Sequence, residues 1–138
     1  MAVEIVARHE VPIRYEDDVF VVRRAVRSLA EARGFDNFAI AALTTASSEL
    51  ARNTWCHGLG GTAVIEELRD GARQGLGVEF RDAGPGIADV TRVLAGGYST
   101  VRSLGLGVSG SRRLVDEFSL DSAVGHGTCV RIRKWKRF

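Results

Sequence analysis

An amphipathic segment from Glu16 to Arg33 sets the first limit on the fold. Its first turn is acidic, which suits the positive end of a helix dipole, and Gly34 follows where a helix would end. Its apolar side chains recur every three or four residues, at Val19, Val22, Val26 and Leu29. The pattern therefore predicts a helix with one buried face, which needs a second layer to pack against.

A second helix and a pair of strands are predicted next. Asp36 is a suitable N-cap for a helix that continues to about His57 and ends at the glycines that follow. β-Branched and alternating residues in 62–71 and 75–84 then predict two strands joined by a turn around Asp70 and Gly71. This is the pattern of a β-hairpin.

The rest of the chain predicts further strands at both ends. Residues 3–13 indicate one or two short strands, and residues 118–135 indicate a strand pair around a turn at Gly125–Gly127. Between the hairpin and that pair lie a glycine-rich loop over 83–107, with a short helical possibility around 87–94, and a helical pattern over 107–118. This order favours an α+β two-layer sandwich, in which helices cover one face of a mostly antiparallel sheet.

Length and composition fit one globular domain, residues 1–138. Hydrophobic residues make up 45% and charged residues 26% of the chain, so neither disorder nor a fibrous repeat is indicated. Cys56 and Cys129 fit no zinc-ligand spacing and no disulfide framework. Charged residues near the start exclude a signal-peptide core, and the longest apolar run is too short to span a bilayer, so we expect a cytoplasmic protein.

The last eight residues, RIRKWKRF, hold five cations although the formal net charge is only +2. They could meet an acidic partner, or they could be a solvated last strand followed by a frayed terminus. Five cations without an accompanying fold signal are weak grounds for nucleic-acid binding, so no nucleic-acid partner is expected.

Glu49 and Asn53 are the first candidate site residues. They lie four positions apart on the second predicted helix and therefore project from nearly the same side. One carboxylate and one amide oxygen beside small residues suit a hard cation and its phosphates, whereas the alternative is a solvated surface pair. The small residues on that side are Ala42, Thr45, Ala46 and Cys56.

Two loops could hold a base or a phosphate. DAGPGI, Asp82 to Ile87, is either a tight turn or a site where the carboxylate accepts a hydrogen bond from an exocyclic amine, such as that of a purine. GHGT, residues 125–128, is either a hairpin turn or a place where the Thr128 hydroxyl reaches a phosphate or a bound water.

A third glycine-rich stretch, SLGLGVSGSRRL, runs from Ser103 to Leu114 and opens a predicted helix. Glycines let a ligand approach the backbone, and the free N–H groups of a helix start favour an anion such as phosphate. The stretch follows a long loop and not a strand, which argues against a dinucleotide-binding unit, and no Walker-type sequence is present.

In chain order, ELARN, DAGPG, SLGLGVSG and GHGT resemble the N, G1, G2 and G3 boxes of the GHKL ATPase/kinase superfamily. The resemblance covers residues from about 36 to 134. Within the superfamily, SELARN, GYST at 97–100 and RRLVDEF at 112–118 look most like the RsbT-like serine/threonine switch kinases. The anti-sigma-factor kinases are their near relatives.

The resemblance implies a role for each matching position. Asn53 would bind the Mg²⁺ that bridges the ATP phosphates, and Glu49 would be the base or orienting group for the attacking hydroxyl. Asp82 would receive the adenine amino group. The other implied contacts are Gly84 and Gly86 near the base, Gly105 and Gly107 at the phosphates, Thr128 near the adenine side, and an ATP lid over about 89–104. Ser103 departs from the glycine that often begins the G2 box.

The function that the resemblance implies is an ATP-dependent serine/threonine protein kinase of a bacterial partner-switching, stressosome-type stress pathway. Such a kinase phosphorylates STAS-domain antagonist or scaffold proteins and then switches to activate a PP2C-type phosphatase. The alternative is an anti-sigma factor that sequesters a sigma factor and phosphorylates its antagonist. Phosphoryl transfer needs mainly positioning and charge neutralisation, which the candidate residues could supply.

Overall fold

The computed structural model describes residues 2–87 and 110–137. Residues 110–114 are helical. In chain order the other elements are β1 (Glu4–Ile13), α1 (Asp18–Ala32), α2 (Asn37–Cys56), β2 (Gly61–Asp70), β3 (Arg73–Asp82), β4 (Glu117–Ser122) and β5 (Thr128–Trp135).

The strands form one antiparallel sheet in the order β1-β2-β3-β5-β4. The predicted hairpin is confirmed, and Gly71 in its two-residue turn has a φ of 62°, which glycine adopts without strain. Residues 4–13 form one strand, with a register shift between Ile5 and Ala7. It lies at the sheet edge, where the missing N–H of Pro12 is tolerated.

The core lies between the sheet and the helices. It is one cluster of apolar side chains, and its largest fully buried members come from both layers: Val22 and Val26 of α1, Leu43 and Leu50 of α2, and Ile13, Ile65, Leu76, Val78, Phe80 and Ile132 of the sheet. The periodic residues of the amphipathic segment therefore face the core as predicted. The predicted α+β two-layer arrangement is confirmed.

Element boundaries follow local capping and sheet contacts. Asp36 caps α2 as predicted, since its Oδ1 accepts the N–H of Ala39 at 2.7 Å. The predicted helix over 107–118 is wrong at its end, because Glu117 and Phe118 already belong to β4. Phe118 pairs with Ile132 in the sheet, and this long-range pairing overrides the helical spacing.

Two further features bear on the sequence predictions. The short helix considered around 87–94 lies outside the described residues except for Ile87. Among the residues that the structure describes, no helix has the length and hydropathy needed to cross a membrane.

Candidate functional site

Glu49 and Asn53 lie where the buried face of α2 meets its exposed face. Leu50, between them, is fully buried, whereas the Glu49 side chain is 41% exposed. Glu49 Oε1 lies 3.6 Å from Nη1 of Arg52, which is the geometry of a loose surface ion pair. Taken by itself, Glu49 therefore fits the surface alternative as well as it fits a site.

Asn53 is different because its amide nitrogen is buried. Nδ2 has no hydrogen-bond partner among the described residues. Buried polar atoms are normally hydrogen-bonded, and leaving one unpaired costs about 1–3 kcal/mol. Rotating the amide by half a turn exchanges Oδ1 and Nδ2, so this position can offer an oxygen or an N–H group to a ligand.

The role of Asn53 as a magnesium ligand stays a prediction. Within 2–87 and 110–137, no three His, Cys, Asp or Glu side chains could together hold a metal. Mg²⁺ is usually bound by one or two protein oxygens together with substrate phosphates and water, so one amide oxygen is a sufficient protein contribution.

The small residues predicted to form one strip on α2 differ in their exposure in the structure. Ala42 and Ala46 are buried, whereas Thr45 and Cys56 are exposed. The strip is therefore partly core and partly surface, and Asn53 stands at the boundary between the two.

Asp82 is the last residue of β3 and pairs with Thr128 of β5. Asp82 Oδ1 accepts the N–H of Gly84 at 2.9 Å. Burial raises the pKa of the Asp82 carboxyl, while hydrogen bonds from the backbone N–H groups of Gly84 and Thr128 act in the opposite direction. A carboxylate has more accepting positions than these contacts use, so Asp82 can also accept a hydrogen bond from an amine.

Glycines surround Asp82 because the chain packs tightly there. A Cβ on Gly58 would lie 2.3 Å from Asp82 Cγ, and one on Gly84 would lie 2.6 Å from the Gly58 oxygen. Gly86 has a φ of 79°, and a Cβ there would lie 2.1 Å from the oxygen of Ala123. Packing therefore accounts for Gly84 and Gly86, and their contact with a base stays a prediction.

Ser122, at the end of β4, connects the two loops and was not predicted. Its Oγ accepts the N–H of Ile87 at 2.8 Å, donates to the oxygen of Gly127 at 2.9 Å and lies 2.8 Å from Thr128 Oγ1. The loop after β3 and the turn before β5 are thus joined into one unit. Ser122 could have been found only from its pairing with Thr128 across the sheet. That pairing cannot be read from the sequence until the register of β4 and β5 is known.

This unit adjoins both a cleft and α2. A cleft of about 470 Å³ is lined by Asp82, Ser122 and Thr128, among others. On the other side, the N–H of Gly58 donates to the backbone oxygen of Asn53 at 3.1 Å, next to the contact of Gly58 with Asp82. The structure thus brings the predicted adenine-side residues together and links them to the end of α2.

Other predicted site residues lie outside the part of the chain that the structure describes. They are Gly105, Gly107, Ser103 and the predicted lid over 89–104. Their contacts with phosphates therefore stay predictions.

Comparison with known proteins identifies the family. Residues 12–134 match the family described as Histidine kinase-like ATPase domain. This chain belongs to that family. The predicted membership of the GHKL superfamily is confirmed, and the match begins before the predicted resemblance at 36.

A curated relative and two solved structures agree with this assignment. The chain is 42% identical over 127 residues to Serine/threonine-protein kinase RsbT of Bacillus subtilis (strain 168), which covers 92% of this chain and 96% of RsbT. The structure of the RsbU and RsbW domains of Rv1364c from Mycobacterium tuberculosis matches with a TM-score of 0.66 and 18% identity. That match covers 96% of this chain but only 34% of the other.

The second structure is the SiaB-SiaC complex from Pseudomonas aeruginosa. It matches with a TM-score of 0.54 and 15% identity, over 95% of this chain and 90% of the other. At these identities the two structures support the fold alone, whereas the likeness to RsbT confirms the predicted relationship to RsbT-like kinases.

Proposed function

We propose that this chain is an ATP-dependent serine/threonine protein kinase of a bacterial partner-switching stress pathway. The likeness to RsbT carries the proposal, because 42% identity extends over nearly the whole length of both proteins. A histidine kinase-like ATPase domain supplies the matching cofactor class, which is ATP. The proposal includes a cytoplasmic location, where ATP is available.

Each candidate residue has a role in the proposal. Asn53 binds Mg²⁺ through its amide oxygen, and the support for this role is that its amide nitrogen is buried without a partner among the described residues. Asp82 accepts a hydrogen bond from the adenine amino group, with Gly84, Gly86 and Thr128 beside it. Gly105 and Gly107 present backbone N–H groups to the phosphates.

The chemistry is phosphoryl transfer to a hydroxyl group. When bound, Mg²⁺ neutralises charge on the phosphates. Glu49 orients the attacking hydroxyl or accepts its proton, and its half-exposed side chain can reach a partner protein that approaches from solvent. Because the reaction needs mainly positioning and charge neutralisation, the chain itself needs no covalent nucleophile.

The proposed substrates are STAS-domain antagonist or scaffold proteins, and the proposed later partner is a PP2C-type phosphatase. Both follow from the resemblance to RsbT-like switch kinases. Phosphorylation of the first partner would release the kinase, which would then bind and activate the second.

The test is a transfer assay with labelled ATP, Mg²⁺ and a STAS-domain protein encoded near the gene for this chain. Wild type should label a Ser or Thr of the partner, and Glu49→Ala should bind ATP but transfer no label. Glu31→Ala is a matched control, because Glu31 is also partly exposed and also lies 3.6 Å from an arginine of its own helix.

Two results would contradict the proposal. One is the absence of label on any STAS protein with wild type. The other is equal transfer by Glu49→Ala and Glu31→Ala. Stable co-purification with a sigma factor and with no STAS protein or phosphatase would favour the anti-sigma alternative.

A further inference from the structure

The cations of RIRKWKRF separate into two groups in the structure. Arg131 and Arg133 on β5 form ion pairs with acidic residues of the neighbouring strands. Lys134 is 8% exposed, and its Nζ donates to a backbone oxygen. Lys136 and Arg137 follow β5 and form no ion pair with any residue in the described ranges. Within those ranges no carboxylate neutralises either cation, and Arg137 is exposed while Lys136 is partly exposed.

Lys136 and Arg137 border a surface pocket of about 190 Å³ at the start of α2. The Phe38 side chain is 80% exposed there, so an apolar ring lies beside the cations. An exposed phenylalanine next to two cations suits a partner that is both acidic and apolar. We call this the basic pocket, and its lining includes Phe35, Asp36, Phe38, Lys134, Lys136 and Arg137.

The lining carries three cations, Lys134, Lys136 and Arg137, and one carboxylate, that of Asp36, so its net charge is positive. Asp36 Oδ1 accepts the N–H of Ala39 at 2.7 Å, as the N-cap of α2. The backbone at Lys136 is held in place as well, since its N–H donates to the oxygen of Gln74 at 2.8 Å. A partner would therefore meet a surface that is already positively charged and partly ordered, which lowers the entropy cost of binding.

We propose that the basic pocket docks an acidic segment of a partner protein, with an apolar side chain of that segment against Phe38. Charge complementarity favours an acidic occupant, and the exposed ring favours a protein segment over a nucleic acid, because contacts to phosphates need no apolar surface. The pocket is separate from the nucleotide site. Phe38 and Asn53 are 15 positions apart on α2, which corresponds to about 22 Å. The proposal therefore goes beyond the proposed kinase activity and does not rest on it.

The test begins with a display library of short random peptides, selected on the wild-type chain and counter-selected on the double variant Lys136→Glu/Arg137→Glu. Selected peptides should be rich in Asp and Glu around a Leu, Ile or Phe. A fluorescent copy of the best peptide should bind the double variant and Phe38→Ala about tenfold more weakly than wild type. Binding of an ATP analogue should be unchanged in both variants.

Arg23→Glu/Arg24→Glu is the matched control, because it makes the same change of charge on the exposed face of α1. It should leave peptide binding unchanged. Equal weakening by both double variants would show an effect of net charge alone and would overturn the proposal. So would selected peptides without acidic residues, or a DNA duplex that binds wild type as tightly as the peptide and is insensitive to Phe38→Ala.

Discussion

The α-carbon of Gly58 lies directly against the carboxyl group of Asp82. A Cβ built at Gly58 would be 2.3 Å from Asp82 Cγ and 2.4 Å from its Oδ2, closer than real Cβ contacts. Gly58 also donates its N–H to the backbone oxygen of Asn53. This glycine therefore fixes the position of the adenine-side carboxylate relative to the helix that carries the proposed magnesium ligand.

Gly58→Ala should weaken nucleotide binding by at least about tenfold, which corresponds to 1.4 kcal/mol. The added methyl group must displace Asp82 from its place at the end of β3. Titration with a fluorescent ATP analogue measures the effect. Gly71→Ala, in the turn at the other end of the β2–β3 hairpin, is the control, since a Cβ there would meet no atom of the described residues within 4 Å. If both alanine variants bind nucleotide equally well, the contact with Asp82 has no role in binding.

Asn53→Ala should make the chain more stable without nucleotide and at the same time abolish its response to Mg²⁺ and ATP. Without nucleotide, removing an amide whose nitrogen is buried and unpaired among the described residues, and adding alanine to a helix, should raise the free energy of unfolding by about 1 kcal/mol. The same variant should lose the increase in thermal stability that Mg²⁺ and ATP give to wild type. Loss of stability in the absence of nucleotide, or an unchanged response to nucleotide, would contradict the proposed role of Asn53.

Ser122→Ala should loosen the unit formed by the loop after β3 and the turn before β5. It removes the acceptor for the N–H of Ile87 and the donor to the Gly127 oxygen, so we expect a loss of about 1–2 kcal/mol in stability together with weaker nucleotide binding. Urea unfolding and nucleotide titration measure the two effects. Ser119→Ala, at an exposed position of β4, should change neither.

The predictions from sequence were correct where short-range patterns decide the structure. The spacing of Val22 and Val26 correctly predicted the buried face of α1. Glu49 and Asn53 are four residues apart, and this spacing predicted that they share one side of α2. The roles of Gly58 and Ser122 depend on residues that are distant in the sequence, namely Asp82 and Ile87. Their contacts exist only once the sheet register is set, so no local pattern marks them.

The contrast between local patterns and long-range contacts also explains why the predicted helix over 107–118 runs into β4. Leu114, Val115 and Phe118 have the spacing of one helix face, which is consistent with the helical pattern predicted over 107–118. In the structure the backbone N–H of Asp116 donates to the oxygen of Arg133, and Phe118 pairs with Ile132. Pairing with a distant strand therefore ended the helix earlier than the local pattern indicates.

Nucleotide binding should weaken at acid pH through Asp82. Burial raises the pKa of this carboxyl above its ordinary value of 3.8, so it takes up a proton at a higher pH than an exposed aspartate does. Protonation removes the charge that strengthens a hydrogen bond from an amine. Affinity for an ATP analogue should therefore fall as the pH is lowered, and Asp82→Asn should bind weakly at every pH with a flatter profile. Parallel profiles for the two proteins would exclude Asp82 as the titrating group.

A second carboxylate, Glu67, stabilises the fold far from this site. Glu67 is 7% exposed, lies 2.8 Å from His9 Nε2 and accepts from Arg33 Nε at 2.5 Å, so it joins β1, β2 and the end of α1. The hydrogen bond with His9 lowers the pKa of Glu67, burial opposes this, and Arg33 lowers the pKa further. Because the pKa is lower in the folded state, ionised Glu67 stabilises the folded chain at pH values above its ordinary 4.5.

Glu67→Gln should therefore reduce the free energy of unfolding at neutral pH by about 1–3 kcal/mol, since Arg33 loses a charged acceptor that is buried. The stabilisation by Glu67 disappears as the pH falls from 4.5 through the lowered pKa, so the difference between wild type and Glu67→Gln should shrink over that range. Urea unfolding at several pH values measures it. Glu31→Gln is the control, because Glu31 and its partner Arg27 are both well exposed and such surface pairs contribute at most about 1 kcal/mol. A difference for Glu67→Gln that is independent of pH would mean that the loss comes from packing and not from the charge.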